Sequence, residues 1–330
     1  MRTGLSRSAQ GWLEAGLFVV TISALAVTYA IAEAAGAHAL VFVVAAMGLA
    51  AAGMLAVTGL GDDVAGVLLA PASLVFGVTS IALEALFFAV LALMPPAEAS
   101  LAFRLAVPAS LIVGVVMLGR RLNATTLAGA AIIVGAASPA VLAAAPEDRL
   151  LASGLVVAGS LIVAVKTFAS ELHPGNRRAR GVLDHLRVTG LVVLVTAVIG
   201  LAVLVPASLA AGGALGGLIP QPSDFVHPPT LTIALVVGAP IILAMTYLTF
   251  ASVVKIGTES FLGTTALTPL GAYLAQALAA GFGLMAWPGF PLWLLALSIV
   301  GLGGVALVIK GLAQERGSLA PEQPLDIGQA

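Results

Sequence analysis

Apolar runs of about twenty residues, separated by short polar breaks, repeat along almost the whole chain. A run of that length is what an α-helix needs to cross the hydrocarbon core of a bilayer. In lipid every backbone N–H and C=O must find a partner within the protein, which leaves helices and closed β-barrels as spanning structures. Barrel strands read as alternating segments of about ten residues, and that pattern is not present. Composition agrees: of 330 residues 60% are hydrophobic and 9% charged, and mean hydropathy is +1.13. A soluble domain carries roughly 25% charged residues. The sequence therefore predicts an all-α integral membrane protein, multi-pass and surrounded by lipid.

Ten transmembrane helices are expected, over about 12–33, 39–59, 65–94, 98–119, 124–145, 150–172, 183–206, 230–254, 258–284 and 290–312. The breaks carry turn chemistry: Gly36 with His38, Gly61-Asp62-Asp63, Pro95-Pro96, Arg120 to Asn123, Pro146-Glu147-Asp148 and His173-Pro174-Gly175-Asn176. Segment 207–229, rich in Gly and Pro, is expected to be a loop. The basic start lacks a small-residue cleavage site, so residues 1–11 read as a cytoplasmic N-terminus ahead of the first helix. Residues 313–330 are polar and contain proline, and are expected to form a disordered cytoplasmic tail.

Orientation follows from the cations. With a cytoplasmic N-terminus, Arg2, Arg7, Arg120, Arg121, Arg177, Arg178, Arg180, Arg187, Lys255, Lys310 and Arg316 fall on the cytoplasmic side, and only Arg149 lies in an outside loop. That is the positive-inside pattern, and it predicts two cytoplasmic termini. Five helices per half then give halves of opposite orientation, 12–145 and 150–312.

The halves echo one another. Glu98 to Pro108 reads E-A-S-L-A-F-R-L-A-V-P, and Glu259 to Pro269 reads E-S-F-L-G-T-T-A-L-T-P. Gly77 and Gly238 stand at the same offset, and Ile133-Val134-Gly135 is echoed by Ile299-Val300-Gly301. Paired, proline-interrupted segments in two inverted halves point to a transporter's binding region.

The run from Pro108 to Gly135, P-A-S-L-I-V-G-V-V-M-L-G-R-R-L-N-A-T-T-L-A-G-A-A-I-I-V-G, resembles the end of the first repeat of the drug/metabolite transporter (DMT) superfamily, EamA type. Tyr247 to Pro269 is similar to that family's stretch before its second proline. The usual L-G-E is L-G-R here (Leu118, Gly119, Arg120), Gly281 to Trp287 has lost it, and Ser23-Ala24-Leu25 stands where the family has a tryptophan. The resemblance implies ten helices as two inverted five-helix repeats. It also implies a secondary transporter of a small metabolite, an amino acid, amine or similar, across the cytoplasmic (inner) membrane, with export the commoner assignment. Uptake or exchange of an organic anion, and a non-transporting scaffold or assembly protein, are the competing readings.

Ionisable groups in hydrocarbon are expensive unless paired or wet, so each is a functional candidate. The deepest are Glu84, Arg104 and Lys166. The tight turn between the third and fourth helices predicts that Arg104 reaches Glu84, either as a structural ion pair or lining a cavity. A protonatable Glu84 suits proton coupling. Lys166 is expected to snorkel to the head groups or to contact an anionic solute. Glu14, Glu171, Glu33 and His38 are expected to be solvated at the interfaces. Thr265, Thr268, Ala272 and Gln276 share one helix face, which either bonds a neighbouring helix or lines a cavity. Tyr247 and Tyr29 are candidates for stacking on a solute, with interfacial anchoring the alternative for Tyr29. Pro108 and Pro269 remove helix hydrogen bonds and are the candidate kinks.

Other chemistry is not expected. There is no Cys, hence no thiol chemistry. A net charge of −1 without a basic stripe argues against nucleic acid. His173, Asp184 and His185 sit in a basic loop without metal-ligand spacing, so neither a metal, a cofactor nor an enzyme is expected. The oligomeric state is left between monomer and homodimer.

Overall fold

The computed structural model describes residues 6–91, 93–94, 96–142, 144–215, 217–287 and 292–318, with backbone only at 96, 97 and 316–318. It is all-helical, with no strand among the described residues. The helices are α1 (Arg7–Ala34), α2 (Ala39–Thr58), α3 (Val64–Leu68), α4 (Pro71–Leu91), α5 (Pro96–Ala102), α6 (Ala106–Leu118), α7 (Ala124–Leu142) and α8 (Arg149–Leu172). They continue with α9 (Pro174–Arg178), α10 (Val182–Ala211), α11 (Pro228–Ile233), α12 (Ala239–Ile256), α13 (Thr258–Thr265), α14 (Thr268–Gly281) and α15 (Leu292–Ser318).

Nine helical segments among the described residues are long and apolar enough to cross a membrane. The ninth of the ten expected segments, 258–284, is the one not among them, because it is divided into α13 and α14, of 8 and 14 residues. The expected helix over 98–119 is also interrupted, by a 3₁₀ turn at Phe103–Leu105 between α5 and α6. Both breaks lie just before the echoed prolines. Pro108 and Pro269 lack the N–H that would bond the carbonyl four residues back, and their rings crowd it; those carbonyls belong to Arg104 and Thr265.

Other boundaries differ from expectation for local reasons. The segment 65–94 starts as α3 and restarts at Pro71, because the residue before a proline is pushed out of the helical region. Helix α10 continues through Pro206 to Ala211, so the expected loop at 207–229 is shorter and contains a 3₁₀ turn at Pro222–Val226. Residues 228–256 pass through a π-turn at Ala234–Gly238 beside Pro240. The His173–Asn176 turn opens the short helix α9, and α15 runs on to Ser318, into the expected tail. Pro95, positions 290–291 of the last expected helix, and 319–330 of the tail lie outside the described residues.

Packing joins the two halves throughout. Helix α1 packs on α12 and α14, α8 on α4 and α6, α10 on α2 and α4, α2 on α12, and α7 on α15. Glycines set the closest approaches. A Cβ on Gly77 would stand 2.7 Å from Ile199 of α10, and one on Gly238 would stand 2.7 Å from Phe42 of α2. Between α7 and α15, a Cβ on Gly129 would meet the Gly304 carbonyl oxygen at 2.5 Å. Close backbone approach through small residues is how helices associate in lipid. The outside carries large exposed apolar side chains, among them Val20, Val116, Leu278 and Trp287, as a lipid-facing surface does.

The bundle has two distinguishable ends. Arg7 donates to the Val254 carbonyl at 3.2 Å, Asn123 to that of Gly311 at 2.8 Å, and Arg178 reaches Asp63 at 3.5 Å. These contacts gather the basic turns at one end, here called the basic end. At the opposite end His38 Nε2 bonds the Gly217 carbonyl oxygen at 2.8 Å, and Met94, Ala144 and Leu294 pack together.

Candidate functional site

A deep cavity of about 220 Å³ lies between the halves. Glu84 comes from α4, Arg104 from the turn between α5 and α6, Lys166 from α8, Thr246 and Thr249 from α12, and Thr265 and Thr268 from the break between α13 and α14. The interruptions before Pro108 and Pro269 therefore set two of its walls. A larger vestibule of about 660 Å³ shares Ala26, Tyr29, Phe87, Ser100 and Ala272 with the deep cavity. Its lining runs out past Glu33, His38 and Gly217, so it lies toward the opposite end.

Glu84, Arg104 and Lys166 thus meet in one cavity, but not as expected. Tyr29 donates its hydroxyl to Glu84 Oε2 at 3.2 Å. Arg104 is 4% exposed and turns toward α15, where Nη1 donates to the Ser298 carbonyl at 3.0 Å. Gly301 permits this, since a Cβ there would stand 2.7 Å from Nη1. The expected Glu84–Arg104 ion pair is absent among the described residues; helix α15, distant in sequence, offers the guanidinium a carbonyl instead. Nε and Nη2 of Arg104 are buried without a hydrogen-bond partner among those residues. Lys166 does not snorkel. It lines the cavity that Glu84 also lines, and places Nζ 5.1 Å from the centre of the Phe76 ring.

The polar stripe on the ninth segment faces the cavities along its length. Thr265, Thr268 and Ala272 line the deep cavity, and Pro269, Ala272 and Gln276 line the vestibule. Thr265 Oγ1 returns to the Leu262 carbonyl at 2.7 Å, while Thr268 Oγ1 is buried without a partner among the described residues. Tyr247 lines neither cavity and packs against the apolar core. Thr246 and Thr249 hold the cavity face of α12, and a residue one step along a helix points about 100° away. Tyr29, whose alternative was interfacial anchoring, lines both cavities.

At the basic end, ion pairs take in Glu14 and Glu171, both expected to be solvated. Arg120 binds Glu259 through Nη1, lies 3.5 Å from Glu171 through Nη2, and sits 5.5 Å from the centre of the Phe168 ring. Glu259 is 1% exposed. Glu171 Oε2 accepts the Thr258 N–H at 2.7 Å, giving the N-terminus of α13 an anionic cap from another helix. Glu14, expected to be solvated, is buried and takes Lys255 Nζ at 2.5 Å and Gln10 Nε2 at 3.0 Å. These contacts were not legible because each partner lies far away in sequence. The arginine of Leu118-Gly119-Arg120, set between an apolar helix and a second basic residue, is the signal the sequence offers. Glu98, the echo of Glu259, makes no ion pair among the described residues, so the two glutamates are not chemically equivalent.

Beside this end lies a buried polar network that holds the turn between α8 and α10. His173 Nδ1 accepts from the Gly175 N–H at 3.1 Å and the Asn176 N–H at 3.3 Å. The proton is therefore on Nε2, which donates to Ser73 Oγ at 2.9 Å, and Ser73 passes its own hydrogen to the Val67 carbonyl at 2.5 Å. Asn176 spans to the carbonyls of Ser170 and Phe250 and to His185 Nδ1 at 2.9 Å. This network consumes its own donors and is structural. Burial, with the positive charge of Arg178 nearby, holds the His173 imidazole below its ordinary value. The unfolded imidazole titrates near 6.5. Above that pH neither state binds the proton; below it the unfolded chain does and the folded chain does not. Stability is therefore expected to fall as pH drops from about 6.5 toward the folded value. Thermal unfolding in detergent at pH 7.5, 6.5 and 5.5 should show a shallower slope for His173→Asn, whose side chain keeps the cap without the titration. An unchanged slope would contradict the assignment.

No protein-family model matches the sequence, and no curated protein does. A solved structure described only as "Crystal structure of protein" is similar in fold: TM-score 0.59 at 19% identity, over 91% of this chain and 97% of that one.

Proposed function

We propose that this protein is a ten-helix secondary transporter that moves a small solute by alternating access. The observation that carries this reading is the deep cavity, with Glu84, Arg104 and Lys166 inside it, a vestibule at one end and ion pairs closing the other. Ionisable groups at membrane depth that face a cavity mark solute or ion paths, and broken helices at the junction of two halves are where transporters build their sites.

An inverted repeat is supported by the packing. If each crossing segment is exchanged with the one five places along, α1 on α12 becomes α8 on α4, and α1 on α14 becomes α8 on α6. The close contact at Gly77 becomes that at Gly238. An odd number of crossings per half makes the halves opposite in orientation. The cation distribution makes the basic end and both termini cytoplasmic, so the vestibule faces outward. We assign the chain on these grounds to the drug/metabolite transporter superfamily, EamA type, in the cytoplasmic membrane. Export is the direction proposed, with coupling to protons through Glu84 and with no enzymatic step.

The absence of native cysteine makes the test direct. A single Thr265→Cys variant in right-side-out and inside-out vesicles is treated with a membrane-impermeant maleimide. Alternating access predicts labelling from both sides. A second pair of cysteines at Glu14 and Lys255, once oxidised, should abolish labelling from the basic side only. Labelling from the vestibule side alone, before any cross-linking, would reduce the site to a blind pocket and overturn transport.

A further inference from the structure

The charges in the deep cavity define its solute more narrowly. Glu84 and Lys166 line the same cavity with opposite charges, and Tyr29 donates to Glu84 Oε2 at 3.2 Å. Arg104 adds a second positive charge to that lining. Its only hydrogen bond among the described residues goes to the neutral Ser298 carbonyl, no carboxylate lies within ion-pair distance of it among those residues, and two of its donor nitrogens are buried and unmade. A guanidinium presents donors in a planar fork suited to a carboxylate. Leaving buried donors unmade costs free energy, and an arginine kept only for structure would be expected beside the nearby carboxylate. Glu84, Lys166 and Arg104 together carry one uncompensated positive charge. Beside the threonines of α12 and of the α13–α14 break, the walls around them carry the rings of Phe76, Phe87 and Phe103. A volume of about 220 Å³ is below the ~300–1,000 Å³ of clefts that hold drug-sized ligands.

We infer that the deep cavity takes a small organic monoanion, its carboxylate held by the Arg104 fork and its apolar body between the phenylalanine rings. The inference rests on the transport reading above and adds the class of solute. A monoanion brings the occupied site to neutrality. A zwitterion leaves the positive charge unanswered, and an amine adds to it.

The test uses shape-matched probes: benzoate, benzamide and benzylamine, then 4-methylpentanoate with its amide and amine. Each is added at millimolar concentration to the full-length protein in detergent at pH 7.5, and thermal unfolding is followed. The carboxylates are expected to raise the melting temperature and the amides and amines to leave it unchanged. Arg104→Gln is expected to abolish the carboxylate shift while raising the melting temperature of the ligand-free protein, because it removes a buried, unanswered charge. A residue kept for structure would do the reverse and lower it. Arg104→Lys keeps the charge but not the fork, and is expected to bind benzoate at least tenfold more weakly. A shift with the amines, or a benzoate shift that survives Arg104→Gln, overturns the inference and leaves transport standing. No shift with any probe, together with two-sided labelling of Thr265→Cys, also overturns the solute class alone. No shift with one-sided labelling overturns both.

Discussion

Replacing Arg120 with alanine is expected to open the basic end of the protein and lower its stability markedly. Arg120 is the ion-pair partner of Glu259 among the described residues, and Glu259 is 1% exposed with Oε2 already unmade. Breaking a buried pair from one side leaves a carboxylate without a counter-charge, which costs about 3–5 kcal/mol. Arg120 keeps 29% of its side-chain surface, so partial screening places the cost toward the lower figure. The same substitution frees Glu171, which caps the N-terminus of α13. The cheapest relief is for water to enter between α6, α8 and α13. A single Thr265→Cys in this background should then react from the basic side several times faster, and the melting temperature should fall by about 5 °C or more. Arg120→Lys should be intermediate, since an ammonium does not present the fork that spans both glutamates. Adding Glu259→Gln to Arg120→Ala should recover most of the melting temperature by removing the stranded charge. If Arg120→Ala changes neither reactivity nor stability, the pair does not close this end.

Arg120 also shows where sequence reading stops. Its place after an α-helix, beside Arg121 and Asn123, reads as a solvated basic turn, and local pattern contains nothing of Glu171 or Glu259. Glu14 reads as solvated in the same way, because its ion-pair partner Lys255 belongs to the other half of the chain. What periodicity and residue chemistry encode locally was readable: the apolar runs, the interruptions before Pro108 and Pro269, and the Thr265–Thr268–Gln276 face. Even the face of α12 followed from spacing once Thr246 and Thr249 were known to border the cavity, since Tyr247 then had to point away. The choice Arg104 makes between Glu84 and Ser298 was not readable. It depends on the space Gly301 leaves on α15, and only the packed fold decides which element lies beside a side chain.

Removing the negative charge of the cavity should separate binding from movement. Glu84→Gln keeps the shape of the side chain and an oxygen for the Tyr29 hydroxyl, which stands 3.2 Å from Glu84 Oε2 in the native protein. It leaves Lys166 and Arg104 without an anion among the described lining residues of the cavity. For a carboxylate solute that change is favourable at the binding step. Benzoate is expected to bind about tenfold more tightly, equivalent to about 1.4 kcal/mol. Movement should respond the other way. In the native protein the emptied site can return with Glu84 answering Lys166, whereas in the variant the emptied site carries two unanswered positive charges through the low-dielectric part of the path. Release becomes slower and the return of the empty site becomes costly. Accumulation of labelled benzoate in proteoliposomes should therefore drop by roughly two orders of magnitude, equivalent to about 2.8 kcal/mol. Its dependence on pH should vanish with the only carboxylate among the described lining residues of the deep cavity. Arg104→Gln, by contrast, should lose binding and accumulation together. The pair of variants is decisive because a purely structural Glu84 predicts parallel losses: if Glu84→Gln weakens benzoate binding as it slows accumulation, the carboxylate supports the fold and takes no part in the transport cycle.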